Sequence, residues 1–142
     1  MIRMFALIFG IIFLVAGIAG FIPSLTPHTA DMHPISVDTA YGRALGLFPV
    51  NILHNIVHLA IGVWGILSYR SVSGARAFAR GLAILYGLLA ILGLIPATNT
   101  MFGLVPIYGH DVWLHAGTAL IAAYFGFIAR PDGEPDVSTN RA

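Results

Sequence analysis

Four long apolar runs, separated by polar or proline-rich segments, dominate the chain. They cover residues 4–22, 50–69, 78–95 and 111–128. Each run approaches the roughly 20 residues that an α-helix needs to cross a bilayer. The pattern predicts an all-α fold, in which residues 1–130 form a four-transmembrane-helix bundle of a polytopic integral membrane protein. Residues 131–142 are polar and are predicted to form a disordered cytoplasmic tail.

The first run follows Arg3, and a basic residue before an apolar run also begins a secretory signal peptide. This run is longer than a usual signal core, so we interpret it as the first membrane helix, ended by Pro23. Its small residues predict a face on which a neighbouring helix packs closely: Ala16, Gly17, Ala19 and Gly20. In the proline-rich connection that follows, residues 41–48 are predicted to form a short interfacial helix.

Composition supports membrane insertion and narrows the chemistry. The chain has 142 residues, of which 58% are hydrophobic and 9% are charged, whereas ordinary soluble domains have about 25% charged residues. The lipid bilayer is therefore the expected partner, and a net charge of +1 gives no reason to expect nucleic acid. The absence of cysteine excludes disulfides, thiolate metal sites and thiol nucleophiles.

The charged and titratable residues are divided between the two sides of the predicted bundle. All seven basic residues are arginines, and Arg43 alone lies on the outer side; the other six are Arg3, Arg70, Arg76, Arg80, Arg130 and Arg141. The positive-inside rule therefore predicts that both termini are cytoplasmic. The six histidines all belong to the outer half: His28, His33, His54, His58, His110 and His115.

The second helix carries the most distinctive segment of the chain. His54 and His58 are four residues apart, so their side chains project from one face of the helix. Asn51 lies one turn before them on that face, and Asn55 borders it. Polar groups inside such an apolar segment are costly unless they have partners, so we expect something to meet them.

The fourth helix repeats this arrangement with Asp111 and His115, which are also four residues apart. If helices two and four are neighbours, four ligands converge at similar depth: His54, His58, Asp111 and His115. Imidazole with a carboxylate suits zinc, copper or iron, and facing helices commonly supply such ligands. His110, Asn51 and Asn55 are additional candidates, the asparagines as groups that hold the ligands in position.

Two other interpretations of these residues remain open. A hydrogen-bonded polar cluster would fix the helix packing with no ligand at all. A haem or chlorophyll-type pigment would take His58 and His115 as ligands, with Gly62 and Gly117 leaving room beside its ring. No residue is predicted to be catalytic, because the chain has no His-Glu-x-x-His motif, no Gly-x-Ser-x-Gly motif and no phosphate loop.

A different class of function also fits a chain with so little soluble mass. The protein would then be a non-enzymatic accessory subunit of a larger respiratory or photosynthetic membrane complex. Small residues on its helix faces suit contacts with other membrane subunits or with further copies of itself.

The segments Ala44–Leu59 and Gly109–His115 resemble a bacterial family of small four-helix integral membrane proteins, domain of unknown function 4383. The resemblance covers residues 5–129 and centres on an Asn-x-x-His-Asn-x-x-His-Leu segment and a later Asp-x-x-x-His. Here these motifs are Asn51, His54, Asn55, His58 and Leu59, followed by Asp111 and His115. The resemblance implies a four-helix fold in the bacterial cytoplasmic (inner) membrane, and it carries no established activity.

Overall fold

The computed structural model describes residues 1–129, which form four α-helices and one short hairpin. The helices are α1 (Ile2–Ala19), α2 (Ile52–Ser68), α3 (Val72–Leu94) and α4 (His110–Ala123), and a π-helical turn, Tyr124–Ile128, continues α4. The strands are β1 (Gly42–Ala44) and β2 (Phe48–Val50), preceded by a 3₁₀ turn, Pro23–Leu25. The four predicted helices are confirmed. The predicted tail, residues 131–142, lies outside the described residues.

The third helix begins six residues earlier than the apolar run suggested. Ser71 is its N-cap, because its side-chain oxygen accepts a hydrogen bond of 3.0 Å from the Gly74 backbone N–H. The polar segment before the third apolar run thus forms the first turns of α3, and Arg76 and Arg80 are helical residues.

The predicted interfacial helix at residues 41–48 was wrong, because this segment forms an antiparallel hairpin. Gly42 pairs with Val50 and Ala44 with Phe48. Leu45 and Gly46 make the turn with positive φ angles of 54° and 74°, a conformation that a right-handed helix does not contain. A hydrogen bond from the Leu45 N–H to the Leu25 carbonyl holds the hairpin against the preceding turn.

The helices pack as two pairs, α1 with α2 and α3 with α4, and α3 also contacts α1 and α2. Glycines let the first pair approach backbone to backbone: a Cβ at Gly65 would lie 2.8 Å from the Gly10 Cα. The packing face predicted at Gly17 and Gly20 is also confirmed, since both residues lie against α2. Between the pairs lies a core that includes Phe5, Phe13, Phe78, Leu82 and Tyr86.

The two ends of the bundle differ in chemistry. At one end, the arginine end, Arg3 donates to the Tyr69 carbonyl, and Arg76 and Arg80 donate to the carbonyls of Ala129 and Gly126. The opposite end, the histidine end, carries the first loop, the hairpin and the loop between α3 and α4. Backbone bonds from Ser36 and Val37 to the Gly103 carbonyl join the two loops there.

Three helical segments are long and apolar enough to cross a membrane: Ile2–Ala19, Val72–Leu94 and His110–Ile128. The remaining helix, α2, is apolar but shorter, with 17 residues. Large apolar side chains such as Val15, Ile84 and Leu120 are more than 60% exposed. A surface of this kind indicates insertion into a lipid bilayer.

Candidate functional site

Three of the predicted ligands meet near the histidine end of the bundle. His54 comes from the first turn of α2, and Asp111 and His115 come from the first two turns of α4. Each of the three offers one ligand atom, and these atoms all lie within 4.8 Å of one another. All three residues are buried, with at most 4% of their surface exposed. This group is called the His–Asp–His site below.

Helices α2 and α4 approach each other through their side chains. The predominant packing of α2 is along α1 and that of α4 is along α3, yet the ring centres of His54 and His115 are only 6.2 Å apart. The site therefore bridges the two helical pairs. The sequence analysis assumed that helices two and four bring these ligands together. They do so through their side chains, because each of the two helices packs mainly along another helix.

The polar atoms of the site are close together but do not satisfy one another. Asp111 Oδ2 lies 3.3 Å from His115 Nε2, without the orientation of a hydrogen bond. The Nδ1 atoms of His54 and His115 and the Oδ2 of Asp111 have no hydrogen-bond partner within residues 1–129. Buried polar groups are nearly always paired in native proteins, so these atoms require a further partner.

Two other predicted candidates lie beside this group. His58 is 8% exposed, and its ring packs edge-on against that of His54 at a centre-to-centre distance of 4.5 Å. His110 begins α4 and is exposed. Neither belongs to the group of three converging ligands, and His58 stays a predicted fourth ligand.

Asn51 holds the start of α2 in position. Its side-chain oxygen accepts a 3.0 Å hydrogen bond from the His54 backbone N–H, which makes it the N-cap of the helix. Its side-chain nitrogen donates to the carbonyls of Val37 at 2.8 Å and Leu104 at 2.7 Å. One buried amide thus ties His54 to both loops of the histidine end.

Asn55 is fully buried as well, but its side-chain amide has no hydrogen-bond partner within the described chain. It lies against the end of α1, where a Cβ at Gly20 would overlap the amide. Asn55 therefore lies in the contact between α1 and α2.

The site lies between two apolar cavities. A cavity of about 190 Å³ is lined by His54, His58 and His115 together with residues of α3 and of the loop between α3 and α4. A larger cavity of about 560 Å³, between α1, the hairpin and the start of α4, is lined by His58 and Asp111 among apolar residues. His58 borders both cavities.

Tyr86 belongs to these surroundings and was missed by the sequence analysis. It lines the smaller cavity, and its ring meets that of His115 edge-on at 4.9 Å. The available signal was a single tyrosine in the apolar part of α3, after Arg80. That signal alone does not say which side of the helix faces the histidines.

The loop histidines are engaged elsewhere. His33 stacks on the Tyr108 ring at 4.0 Å, and the hydroxyls of Tyr41 and Tyr108 are 2.7 Å apart. The His28 ring lies edge-on to Tyr41. Burial, followed by the hydrogen bond to Tyr108, raises the pKa of Tyr41, so its hydroxyl stays protonated. These contacts fasten the first loop over the histidine end.

The two glycines proposed to make room for a haem ring differ in their surroundings. Gly62 is packed against Leu14 of α1, whose side chain a Cβ at this position would meet at 2.7 Å. Gly117 has open space beside it. The haem or pigment alternative stays a prediction.

Comparison with known protein families gives a match. The profile of a family described as Domain of unknown function (DUF4383) matches residues 3–128, which is most of the chain. No curated protein and no solved structure matches it.

Proposed function

The chain belongs to the DUF4383 family, and we propose that it is an integral membrane protein whose His54, Asp111 and His115 bind a metal ion. The observation that carries the proposal is the convergence of three buried ligand atoms within 4.8 Å, among which Asp111 Oδ2 has no hydrogen-bond partner within residues 1–129. A purely structural polar cluster would be expected to satisfy its own groups, and this one leaves them open.

The spacing of the ligand atoms suits a small ion. Zinc–nitrogen and zinc–oxygen distances of about 2.0–2.2 Å place two tetrahedral ligands roughly 3.4 Å apart. The 3.3 Å between Asp111 Oδ2 and His115 Nε2 is already at that value. Two histidines and a carboxylate are a donor set used for zinc and for iron(II), and imidazole also suits copper. Three protein ligands leave a coordination position for water or a substrate.

The proposed setting is the bacterial cytoplasmic (inner) membrane, with all four helices spanning it and both termini cytoplasmic. A helix of 17 residues is about 26 Å long, slightly less than a hydrocarbon core of about 30 Å. The support for α2 as a span is that it lies alongside α1, with Arg3 near the start of α1 bonded to the Tyr69 carbonyl after the end of α2. The arginine end then faces the cytoplasm, and the His–Asp–His site faces outward.

Elemental analysis of the protein purified without a histidine tag tests the metal site. We expect about one zinc, copper or iron per chain, and its loss in Asp111→Asn and in His115→Ala. His110→Ala is the matched control, because it removes an exposed histidine from the same helix and should keep the metal. Metal retained in full by both ligand variants, or absent from wild-type protein reconstituted with each ion, would refute the proposal.

A fourth variant determines the number of ligands. His58→Ala should keep the ion if His54, Asp111 and His115 are sufficient, and should lose it if His58 is a fourth ligand. The alternative roles, an accessory subunit of a larger complex or a homo-oligomer, stay predictions. They are tested by the mass of the particle isolated from native membranes in mild detergent.

A further inference from the structure

The larger cavity is shaped to receive a molecule from the bilayer. One wall is α1, through residues that include Ile12, Val15 and Ala16; the hairpin residue Phe48 and Leu114 of α4 line other parts of it. Ile12 and Val15 are 52% and 61% exposed, so this wall lies on the lipid-facing surface of the bundle. A volume of about 560 Å³ is within the ordinary range for small-molecule sites.

Two polar side chains line this otherwise apolar space. His58 is 8% exposed and Asp111 is 2% exposed, and both line the cavity. His58 Nδ1 and Asp111 Oδ2 have no hydrogen-bond partner among residues 1–129. Leaving such atoms unpaired in an apolar cavity is costly. An occupant that is only hydrocarbon would fill the space and leave this cost in place.

The charges around the cavity indicate an uncharged head group. No arginine lines the cavity, and Arg43, the one arginine of the described chain at the histidine end, is paired with Asp31 at 2.8 Å. A phosphate or carboxylate head would therefore meet the Asp111 carboxyl group without a basic side chain to pair with. An uncharged carbonyl or hydroxyl oxygen avoids this repulsion.

We propose that the cavity binds the ring of a membrane-soluble quinone or quinol, with a ring oxygen hydrogen-bonded to His58 Nδ1 and, in the quinol, also to Asp111 Oδ2. A neutral imidazole nitrogen donates or accepts a hydrogen bond according to its tautomer, and a carboxylate oxygen accepts one. His58 therefore serves the carbonyl of a quinone or the hydroxyl of a quinol, and Asp111 accepts from the quinol hydroxyl. The Phe48 side chain offers an aromatic surface for the ring, and the tail leaves through the lipid-facing wall.

Both proposals use Asp111 Oδ2, but this inference does not require the metal, because His58, which is outside the group of three, supplies the hydrogen bond that the experiment tests. The variants are chosen accordingly. His58→Leu removes the ring nitrogen, and Ala16→Phe fills the cavity. Ala16→Phe changes no candidate ligand of the metal, so the metal content of this variant reports the metal site separately, whereas His58→Leu also removes the predicted fourth ligand.

The experiment is titration calorimetry of the detergent-solubilised protein with a decyl-substituted benzoquinone. Decylbenzene, which has no oxygen, and 1-decanol, which has one hydroxyl, are the comparison probes. We expect saturable 1:1 binding of the quinone, at least 10-fold weaker binding by His58→Leu, and no binding by Ala16→Phe. Ile18→Phe is the matched control, because Ile18 is 56% exposed on the same helix and does not line the cavity.

Each contrary outcome is decisive. Equal binding of decylbenzene, or wild-type affinity in His58→Leu, would show an unspecific apolar cavity and overturn the inference. Decanol that binds as tightly as the quinone would assign the cavity to a lipid alcohol instead. If Ala16→Phe fails to fold, Ala19→Phe fills the same cavity, and His58→Gln retains hydrogen-bonding capacity and should recover part of the affinity lost in His58→Leu.

Discussion

Replacing Asn51 with alanine should destabilise the protein more than the loss of a helix cap can explain. The side chain makes three hydrogen bonds: it accepts from the His54 N–H and donates to the carbonyls of Val37 and Leu104. Alanine keeps none of them. The change therefore loosens the start of α2 and both loops of the histidine end at once.

The expected size follows from these three bonds. Losing an N-cap costs about 0.5–2 kcal/mol, and each buried acceptor left unpaired costs about 1–3 kcal/mol. Val37 is half-buried and Leu104 is exposed, so their carbonyls recover part of this cost by binding water. We therefore expect the free energy of unfolding to fall by about 2–4 kcal/mol, which is a roughly 30- to 700-fold change in the unfolding equilibrium constant.

The assay is equilibrium unfolding in mixed micelles, followed by circular dichroism while the fraction of denaturing detergent is raised. Ser71→Ala is the matched control, because the Ser71 hydroxyl caps α3 at the arginine end by accepting one backbone hydrogen bond, from the Gly74 N–H. It should cost about 1 kcal/mol. In metal titrations, Asn51→Ala should weaken binding about 10- to 100-fold, as is typical when a group that holds a ligand is removed, and Ser71→Ala should not.

The stability of Asn51→Ala relative to Ser71→Ala tests the role described for Asn51. If Asn51→Ala is no less stable than Ser71→Ala, the bonds to Val37 and Leu104 contribute nothing and the described role of Asn51 is wrong. If stability falls as expected but metal affinity is unchanged, Asn51 holds the loops without positioning His54.

Two further predictions concern other parts of the molecule. Gly20→Ala should lower the free energy of unfolding by about 1–3 kcal/mol, as overpacking does, because its Cβ would overlap the Asn55 amide. An unchanged unfolding curve would contradict the close α1–α2 contact. Gly46→Ala is the control for backbone strain, because Gly46 has open space beside it but a φ of 74°. The pKa of Asp31 is held below its usual 3.8, chiefly by the Thr29 hydroxyl and also by Arg43. Its ionised form therefore stabilises the first loop above that pH, and the contribution is lost as the pH falls through the lowered pKa. Thr29→Val should move the pKa of Asp31 upward in a carboxyl NMR titration, and no movement would refute the assignment.

The sequence was sufficient for the elements that depend on local pattern. Apolar runs predict the four helices, and the four-residue spacing of Asp111 and His115 predicts that they share a face. The same spacing predicted His58 as a ligand equal to His54. Spacing does not distinguish these two residues, whereas the structure has only His54 in the group of three converging ligands; His58 stays a predicted fourth ligand.

Other features depend on single local bonds that periodicity does not contain. The Ser71 cap moves the start of α3 into a polar segment, and a turn with positive φ at Leu45 and Gly46 makes a hairpin where a helix was expected. The tie from Asn51 to Leu104 joins residues 53 positions apart. Such long-range backbone contacts have no signature in one sequence.

The division of the site between the two helical pairs has a consequence for how the protein is made. His54 lies on α2, which the ribosome completes before α4, the helix that carries Asp111 and His115. An ion held by all three cannot be captured until α4 has entered the membrane beside the earlier helices. Metal content would then count the chains in which α4 has been inserted, and a chain truncated before α4 would be recognisable by lacking the ion.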